Sequence, residues 1–462
     1  MTADGTSPRE AARAGSSHAP TRFQSPTRFG GRPLSQARTS PSSAWPISVD
    51  IDGAFAFAFF ASMLSIGQLG TQGALLFVGL TGLYTMLRFK QLYEILRPRA
   101  FLLAFPLFTV FSTVWSETPG ETLKHSIEFA MTVGAALLLS AAPRPKAVLM
   151  GIALAFGGYV AISIVFGQTV YMGNFGQKAF SGLGSGKNWM ADIASTGFLV
   201  SAAAILAAVE DRRPLIFCAA ALFAVAEAYA VIEARSAGAM LGLFLAMSAF
   251  AFLLGLRSTG LAVRATVTGF MGLLLVITAL NYRGISEALI ENGARFFDKD
   301  PSLTGRTYLW QRAMDLIAEK PFLGKGFGAF WQQGNPDAEG MWQYAGILTR
   351  GGFNFHNTPI EILVHLGWLG LIVFGLTVVV AAAILIARFV ARPNLLLCFS
   401  LAIFVYQLVR MPIESVGVYE FYTSTVLIFL ALGSGLGAPR EMRSAVSQTR
   451  VMPRRASFAA RI

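Results

Sequence analysis

Apolar runs near the ~20 residues that a helix needs to cross a bilayer recur along almost the whole chain, separated by short polar corners. Ala147 to Phe166, Trp189 to Val209, Ala237 to Leu256 and Gly367 to Ala387 are examples. The pattern predicts about twelve spans, near residues 53-69, 72-87, 100-116, 124-142, 147-166, 189-209, 215-234, 237-256, 263-281, 367-388, 394-411 and 421-438. A span buried in hydrocarbon must satisfy its own backbone hydrogen bonds, so each is predicted as an α-helix. One stretch breaks the pattern: residues 282-366 are polar, nearly balanced in charge and helix-forming. The predicted fold is an all-α polytopic membrane protein of about twelve transmembrane helices with one large helical loop.

Composition narrows the class. Of 462 residues, 54% are hydrophobic and only 13% charged, against about a quarter in soluble domains. The net charge of +12 does not point to nucleic acid, because six arginines lie in the first 52 residues and six more follow Pro439. These ends, rich in small and polar residues without a sustained period, are predicted as disordered basic tails, 1-52 and 439-462, flanking a membrane domain over 53-438. Two cysteines, Cys218 and Cys398, sit inside apolar spans, which predicts buried small hydrophobes rather than a disulfide framework or a cysteine metal site.

The basic residues also orient the chain. Arg88, Lys90, Arg97, Arg99, Arg144, Lys146, Arg212, Arg213, Arg257, Arg264, Arg388 and Arg392 all fall in corners of the same parity as both tails. The positive-inside rule then places both termini in the cytoplasm. The Trp115-Ser116-Glu117 corner, residues 167-188, the long loop and residues 411-420 face outside, which in a bacterium is the periplasm. No internal repeat of the kind that builds inverted-repeat transporters stands out.

Candidate chemistry gathers on that outer side. Thr304 can cap a helix whose first turn holds Arg306, with Trp310, Ala313 and Ile317 along one face. An arginine presented this way can bind phosphate through a planar, always-charged fork; the plainer reading is a solvated arginine stacked on Trp310. Pro321 to Gly328 ends the helix in a glycine-rich turn containing Gly324 and Gly326. With no preceding strand and no Gly-Lys-Ser/Thr ending, it predicts close packing rather than a nucleotide site. Thr358-Pro359-Ile360-Glu361 has the form of a capping box, so a helix should begin just after His356 and Asn357. The imidazole then sits at a helix N-terminus, suited to act as a general base beside an anion. Glu361 reads as the cap partner and His365 as an interfacial side chain; their spacing with His356 lacks a zinc-binding pattern, and no metal is predicted. Arg235 and Arg410 at outer span ends, with Lys187 at the start of the sixth span, outline an anion pocket. Snorkelling to the interface is the alternative for both arginines.

The combination Gly305-Arg306-Thr307-x-x-Trp310, Pro321-x-x-Gly324-x-Gly326-x-Gly328-x-Phe330 and His356-Asn357 with Leu363, Gly367 and Gly370 resembles the bacterial O-antigen ligase and polysaccharide polymerase family. The likeness extends to Trp115-Ser116, Lys187-Asn188 and Arg235-Ser236, and covers roughly residues 100 to 430. Leu303-Thr304-Gly305-Arg306 and Arg410-x-Pro412-x-Glu414-Ser415 look closer to exopolysaccharide polymerases than to lipopolysaccharide ligases. The resemblance implies a cofactor-free, metal-independent inverting glycosyltransferase of the bacterial inner membrane, taking a glycan from an undecaprenyl diphosphate carrier at the periplasmic face. Its partners would be the lipid-linked donor, a glycan acceptor, the bilayer, and polysaccharide chain-length and export proteins. Arg235, Arg306, Arg410 and Lys187 would bind the diphosphate, and His356 with Arg306 would carry catalysis. Trp310, Gly324, Gly326, Asn357 and Glu414 would support the site. A ligase acting on lipid A core is the close alternative, and a flippase of lipid-linked sugar the reading from another class.

Overall fold

The computed structural model describes residues 50–172, 177–184, 186–280, 306–350 and 352–437. Residues 1–49 and the second basic tail, with Thr304 and the front of the long loop, lie outside the described residues, whereas Asp50, Ile51 and Asp52, predicted as the end of the first tail, cap and begin the first helix. Every predicted span overlaps a helical segment, although the helix on the fourth, Pro119–Ser140, is not among those apolar enough to count as crossing a membrane. In chain order these are α1 (Ile51–Leu64) continued by a short turn, α2 (Thr71–Leu87), α3 (Phe89–Val114, alternating α and 3-10 turns), α4 (Pro119–Ser140) and α5 (Pro145–Phe166). Then come α6 (Lys187–Glu210), α7 (Pro214–Ala234), α8 (Ala237–Arg257) and α9 (Leu261–Leu280). The long loop carries α10 (Arg306–Glu319) and α11 (Pro336–Ala345), and the chain returns through α12 (Thr358–Ala391), α13 (Leu395–Arg410) and α14 (Thr423–Ser434).

By length and composition six of these helices are able to cross a membrane: α3, α5, α6, α7, α8 and α12. Large apolar side chains such as Leu222, Val225 and Ile232 on α7, Phe244 on α8 and Leu376 and Val379 on α12 are exposed rather than packed inside. Water penalises such faces and lipid does not. The chain is a mostly α-helical, multi-pass membrane protein.

Two expectations change. The corner after α5 is not helical: β1 (Gln168–Met172) pairs antiparallel with β2 (Gln177–Gly182), with Thr169 opposite Phe180 and Tyr171 opposite Lys178. Outside the apolar spans this short β-rich sequence is free of the rule that forces helices in hydrocarbon. Cys398 is buried as anticipated, but Cys218 is exposed on the outward face of α7.

The basic corners collect at one end of the bundle, where carboxylates and carbonyls from neighbouring corners meet them. Arg144 pairs with Asp50, Lys146 with Glu210 and Asp211, and Arg257 with Glu210. Arg99 is fully buried and donates to Ile95 O, Gly433 O and Gly437 O, closing the ends of α3 and α14 together. The shared parity seen in the sequence is thus a shared end of the molecule.

At the other end, the described part of the long loop packs a small core of its own. Leu309, Ala313 and Leu316 of α10 bury against Phe330, Met341, Trp342 and Phe355. This core rests on the first turns of α12, and the junction depends on a break in that helix. Gly367 adopts φ 62° and ψ −167°, leaving its neighbours' backbone groups without intrahelical partners. The glycine-rich turn supplies replacements: Trp368 and Leu369 N–H donate to Pro321 and Phe322 carbonyls, while Val364 and His365 carbonyls accept from Lys325 and Gly326 N–H. A break in an apolar helix is tolerated where protein satisfies the freed groups in this way.

This geometry leaves no room for a side chain at the break. A Cβ on Gly367 would stand 2.3 Å from the carbonyl carbon of Phe322, in addition to the left-handed φ. Gly367→Ala is expected to cost about 2 kcal/mol or more. Gly375→Ala, eight residues along the same helix with open space around it, is expected to be neutral or mildly stabilising. Thermal unfolding of the two variants in detergent checks the contrast; equal midpoints would contradict the role assigned to the break.

Candidate active site

The segment that joins α13 to α14 runs directly alongside the segment that enters α12, and each completes the other's hydrogen bonds. Thr358 N–H donates to Met411 O, and Asn357 Nδ2 donates to Pro412 O at 3.0 Å. Asn357 N–H reaches Ser415 Oγ, and the Thr358 hydroxyl accepts from Val416 N–H at 2.9 Å. The cap of α12 is Asn357, whose Oδ1 accepts from Ile360 N–H at 3.0 Å, one residue earlier than the capping-box reading placed it.

His356 sits just before this cap with φ 52°, a backbone conformation uncommon outside glycine. Asn354 Oδ1 stabilises it by accepting His356 N–H at 2.8 Å. The ring is held from the facing segment: Nδ1 lies 3.0 Å from Glu414 Oε2. The other carboxylate oxygen accepts from Arg306 NH2 at 2.9 Å, and Arg306 NH1 donates to Ile413 O. Arg306 is therefore not stacked loosely on Trp310. Trp310 instead donates from its indole N–H to Phe355 O at 2.8 Å, fixing α10 against the loop that carries His356.

Glu414 is the common partner of both groups. Burial works against its charge, but the His356 and Arg306 side chains and the nearby Arg410 hold its carboxyl well below the usual range, at about 2. An ionised carboxylate only accepts, so the proton facing it resides on Nδ1 of His356. Nε2, the other ring nitrogen, has no partner among the described residues.

The remaining cations approach from the side of α6, α7 and α8. Lys187 Nζ lies 3.4 Å from the carbonyl of Arg235, so the corner of α6 meets the α7–α8 corner. Arg235 is exposed, with a left-handed φ of 50° that lets the chain turn directly into α8. Three residues on, Gly238 packs against the Ile413 side chain, whose own carbonyl accepts from Arg306. Arg410 stands differently from the free outward cation that the sequence suggests. It is buried, paired with Asp192 of α6, bonded to Gln407 Oε1 at 3.2 Å and set over the Tyr406 ring at 5.1 Å. A charge buried this deeply has to be paired, and Asp192, which the sequence analysis passed over, supplies the pairing.

Gly324 and Gly326 take up φ values of 64° and 105°, and a Cβ on Gly326 would come within 2.3 Å of Ser116 Oγ. Their amides, with those of Phe327 and Gly328, are bonded to Lys320 O, His365 O, Ser112 Oγ and His365 Nδ1. With its N–H groups so committed the turn is a packing device, in keeping with the rejection of a nucleotide loop.

Glu361 and His365 need correction. Glu361 caps nothing: it is 3% exposed, and its two oxygens accept from Trp331 Nε1, Tyr419 OH, Phe355 N–H and Ser415 Oγ. His365 is not interfacial but buried, accepting Gly328 N–H at Nδ1 and placing Nε2 3.3 Å from Glu361 Oε1. The i,i+4 spacing of a carboxylate and an imidazole on one helix face was the available signal. A further group, absent from the sequence reading, stands nearby. His125 Nδ1 lies 2.8 Å from Glu420 Oε1 and 3.7 Å from Glu128 Oε2. Among the described residues, His125, Glu128 and Glu420 are the set whose ligand atoms lie close enough together to hold a metal ion.

The depressed Glu414 carboxyl sets a pH dependence. A carboxylate more acidic in the folded state than its ordinary 4.5 contributes stability above that value and loses it as pH falls towards about 2. Glu414→Gln is thus expected to lower the unfolding midpoint clearly at pH 7, with the gap to the unsubstituted protein closing as pH falls through that window. Melting curves of both proteins across pH check it, and a gap that does not change with pH would overturn it.

Comparison with known proteins bears on this arrangement. Residues 219–375 match the family model described as O-Antigen ligase, a stretch that runs from α7 through α12 and includes Arg235, Arg306 and His356. The chain is also 28% identical over 413 residues to the exopolysaccharide production protein ExoQ of Rhizobium meliloti, covering 87% of this chain and 91% of that protein. The chain is thus similar to O-antigen ligases over residues 219–375 and to an exopolysaccharide production protein over most of its length.

Proposed function

We propose that this protein is an integral-membrane glycosyltransferase that extends an exopolysaccharide, moving a glycan from an undecaprenyl diphosphate carrier onto an acceptor hydroxyl at the periplasmic face of the bacterial inner membrane. The observation that carries the reading is Glu414 bonded to both Arg306 and His356. It fixes a base and a phosphate-binding group in one place and aims the imidazole through a single nitrogen.

In this mechanism the acceptor hydroxyl attacks the anomeric carbon of the donor sugar and gives its proton to His356 Nε2. The bond from that carbon to the phosphate oxygen breaks, and the diphosphate leaves with the electron pair. Arg306 meets the developing charge through the donors it does not spend on Ile413 and Glu414, and Arg235 and Lys187 approach from the α6–α7–α8 side. Fixed cations in a partly dehydrated site lose little to reorganisation as charge builds on the leaving group. Arg410, neutralised by Asp192, anchors the segment that carries Glu414. Inversion follows from a single displacement; neither a covalent enzyme intermediate nor a metal ion is required.

The resemblance to an exopolysaccharide production protein over most of the chain favours polymerisation, while the O-Antigen ligase description of residues 219–375 keeps transfer to lipid A core as the second reading. Purified protein incubated with a defined lipid-linked oligosaccharide is expected to yield longer lipid-linked chains without any ion gradient. Product found only when lipid A core is supplied would decide for the ligase. His356→Ala is expected to reduce turnover roughly 10²–10⁴-fold, and Arg306→Ala to abolish detectable polymer, with both variants still inserted in the membrane. Normal polymer from either would remove the mechanism. Cysteines introduced at exposed loop positions near Arg350 are expected to react with impermeant reagents from the periplasm alone.

A further inference from the structure

A cavity of about 190 Å³ opens beside the proposed catalytic imidazole, bounded by α3, α4, α12, the glycine-rich turn and the segment before α14. Phe353 forms part of its wall and sets its ring edge-on to His356, with centroids 5.7 Å apart. Glu361 forms another part and is tied through the Ser415 hydroxyl to the residue next to Glu414. The cavity and the imidazole therefore share a partition.

Its lining has two components. Rings of Phe105, Trp331, Phe353 and Tyr422 present flat apolar surface. Between them stand polar groups, some already satisfied and some not. Glu361 has both oxygens occupied by protein donors, and His365 has Nδ1 occupied by Gly328 N–H. Glu420 spends Oε1 on His125, while Oε2 and the Tyr422 hydroxyl have no hydrogen-bond partner among the described residues. A cavity walled by aromatic faces with a few unspent, fixed polar groups suits a small ligand that is apolar on its faces and rich in hydroxyls at its edge. That is the chemistry of a pyranose ring: its C–H face lies on an aromatic ring, and a carboxylate accepts from its hydroxyls.

Charge separates this cavity from the diphosphate side. Lys187, Arg235, Arg306 and Arg410 lie towards α6, α8 and α10, whereas Glu361, Glu420 and Glu128 lie in or against the cavity. A diphosphate is repelled from the second group and a neutral sugar is not. His356 touches both, through Glu414 on one side and Phe353 on the other. The geometry points to this cavity as the subsite for the terminal sugar of the acceptor glycan, with Glu420 and Tyr422 reading its hydroxyls and the aromatic wall holding it against Phe353, the ring that borders His356. The assignment rests on the glycan-transfer reading above and adds to it which of the two substrates enters from which side.

The test separates the two subsites in the full-length protein reconstituted in nanodiscs. Probes are undecaprenyl diphosphate carrying no sugar, and a panel of free hexoses, N-acetylhexosamines and their disaccharides, each titrated by calorimetry. At least one saccharide of the panel is expected to bind. Glu420→Gln and Tyr422→Phe should weaken it at least tenfold while leaving undecaprenyl diphosphate affinity within twofold. Arg306→Ala should do the reverse. Tyr422→Phe removes one hydroxyl without altering ring packing, so it stands even if Glu420→Gln disturbs the pairing with His125. The inference is overturned if no saccharide binds, if both cavity variants bind saccharide as the unsubstituted protein does, if saccharide and undecaprenyl diphosphate compete, or if chelation of divalent cations abolishes saccharide binding and so marks His125, Glu128 and Glu420 as a metal site. Saccharide binding without any affinity for undecaprenyl diphosphate would sink the transfer reading and leave the cavity as a saccharide site without an acceptor role.

Discussion

One carboxylate organises the end of this molecule that carries the long loop. Glu414 bonds the guanidinium of Arg306 with one oxygen and the imidazole of His356 with the other. The three groups come from α10, the entry to α12 and the exit of α13, elements far apart in sequence. Alone, the carboxylate would be an unfavourable charge in a mostly buried place. Between two donors it stays ionised, and in turn it holds the imidazole through Nδ1.

That arrangement persists because the backbone around it is already spoken for. Asn357, Thr358 and Ser415 stitch the two segments together through main-chain and hydroxyl hydrogen bonds. Below them the break at Gly367 lets the glycine-rich turn lodge against α12, and that turn carries the described loop core as a rigid block. Small shifts in any of these would displace His356 relative to Arg306, and positioning errors of an ångström are enough to cost a catalyst much of its rate.

Charge is distributed over the whole length of the protein with the same economy. At one end, corner arginines and lysines neutralise carboxylates and helix carbonyls between neighbouring corners, as Arg99 does for the ends of α3 and α14. At the other, Glu414 and Asp192 pair with Arg306 and Arg410, while Glu361 and Glu420 are held by hydroxyls, amides and His125. Between the two ends the helices present apolar faces outward, as lipid tolerates and water does not.

The hydrophobic pattern alone determined where the helices run, because crossing hydrocarbon requires long apolar segments with self-satisfied backbones, and this requirement is written residue by residue. The helix start near His356 was legible because capping is local: Thr358-Pro359-Ile360-Glu361 marked it, although the cap is Asn357, one residue earlier. Fold decided what depends on distant partners. Glu361 carries a local capping signal, yet four donors from separate segments take it into the interior. Arg410 looks like a free cation until Asp192, more than two hundred positions away, is brought against it. The ribbon of β1 and β2 and the pairing of His125 with Glu420 likewise exist only once corners meet. Ion pairs and buried hydrogen bonds are satisfied in space rather than along the chain, so a one-dimensional pattern shows which groups need partners but not which partners they find.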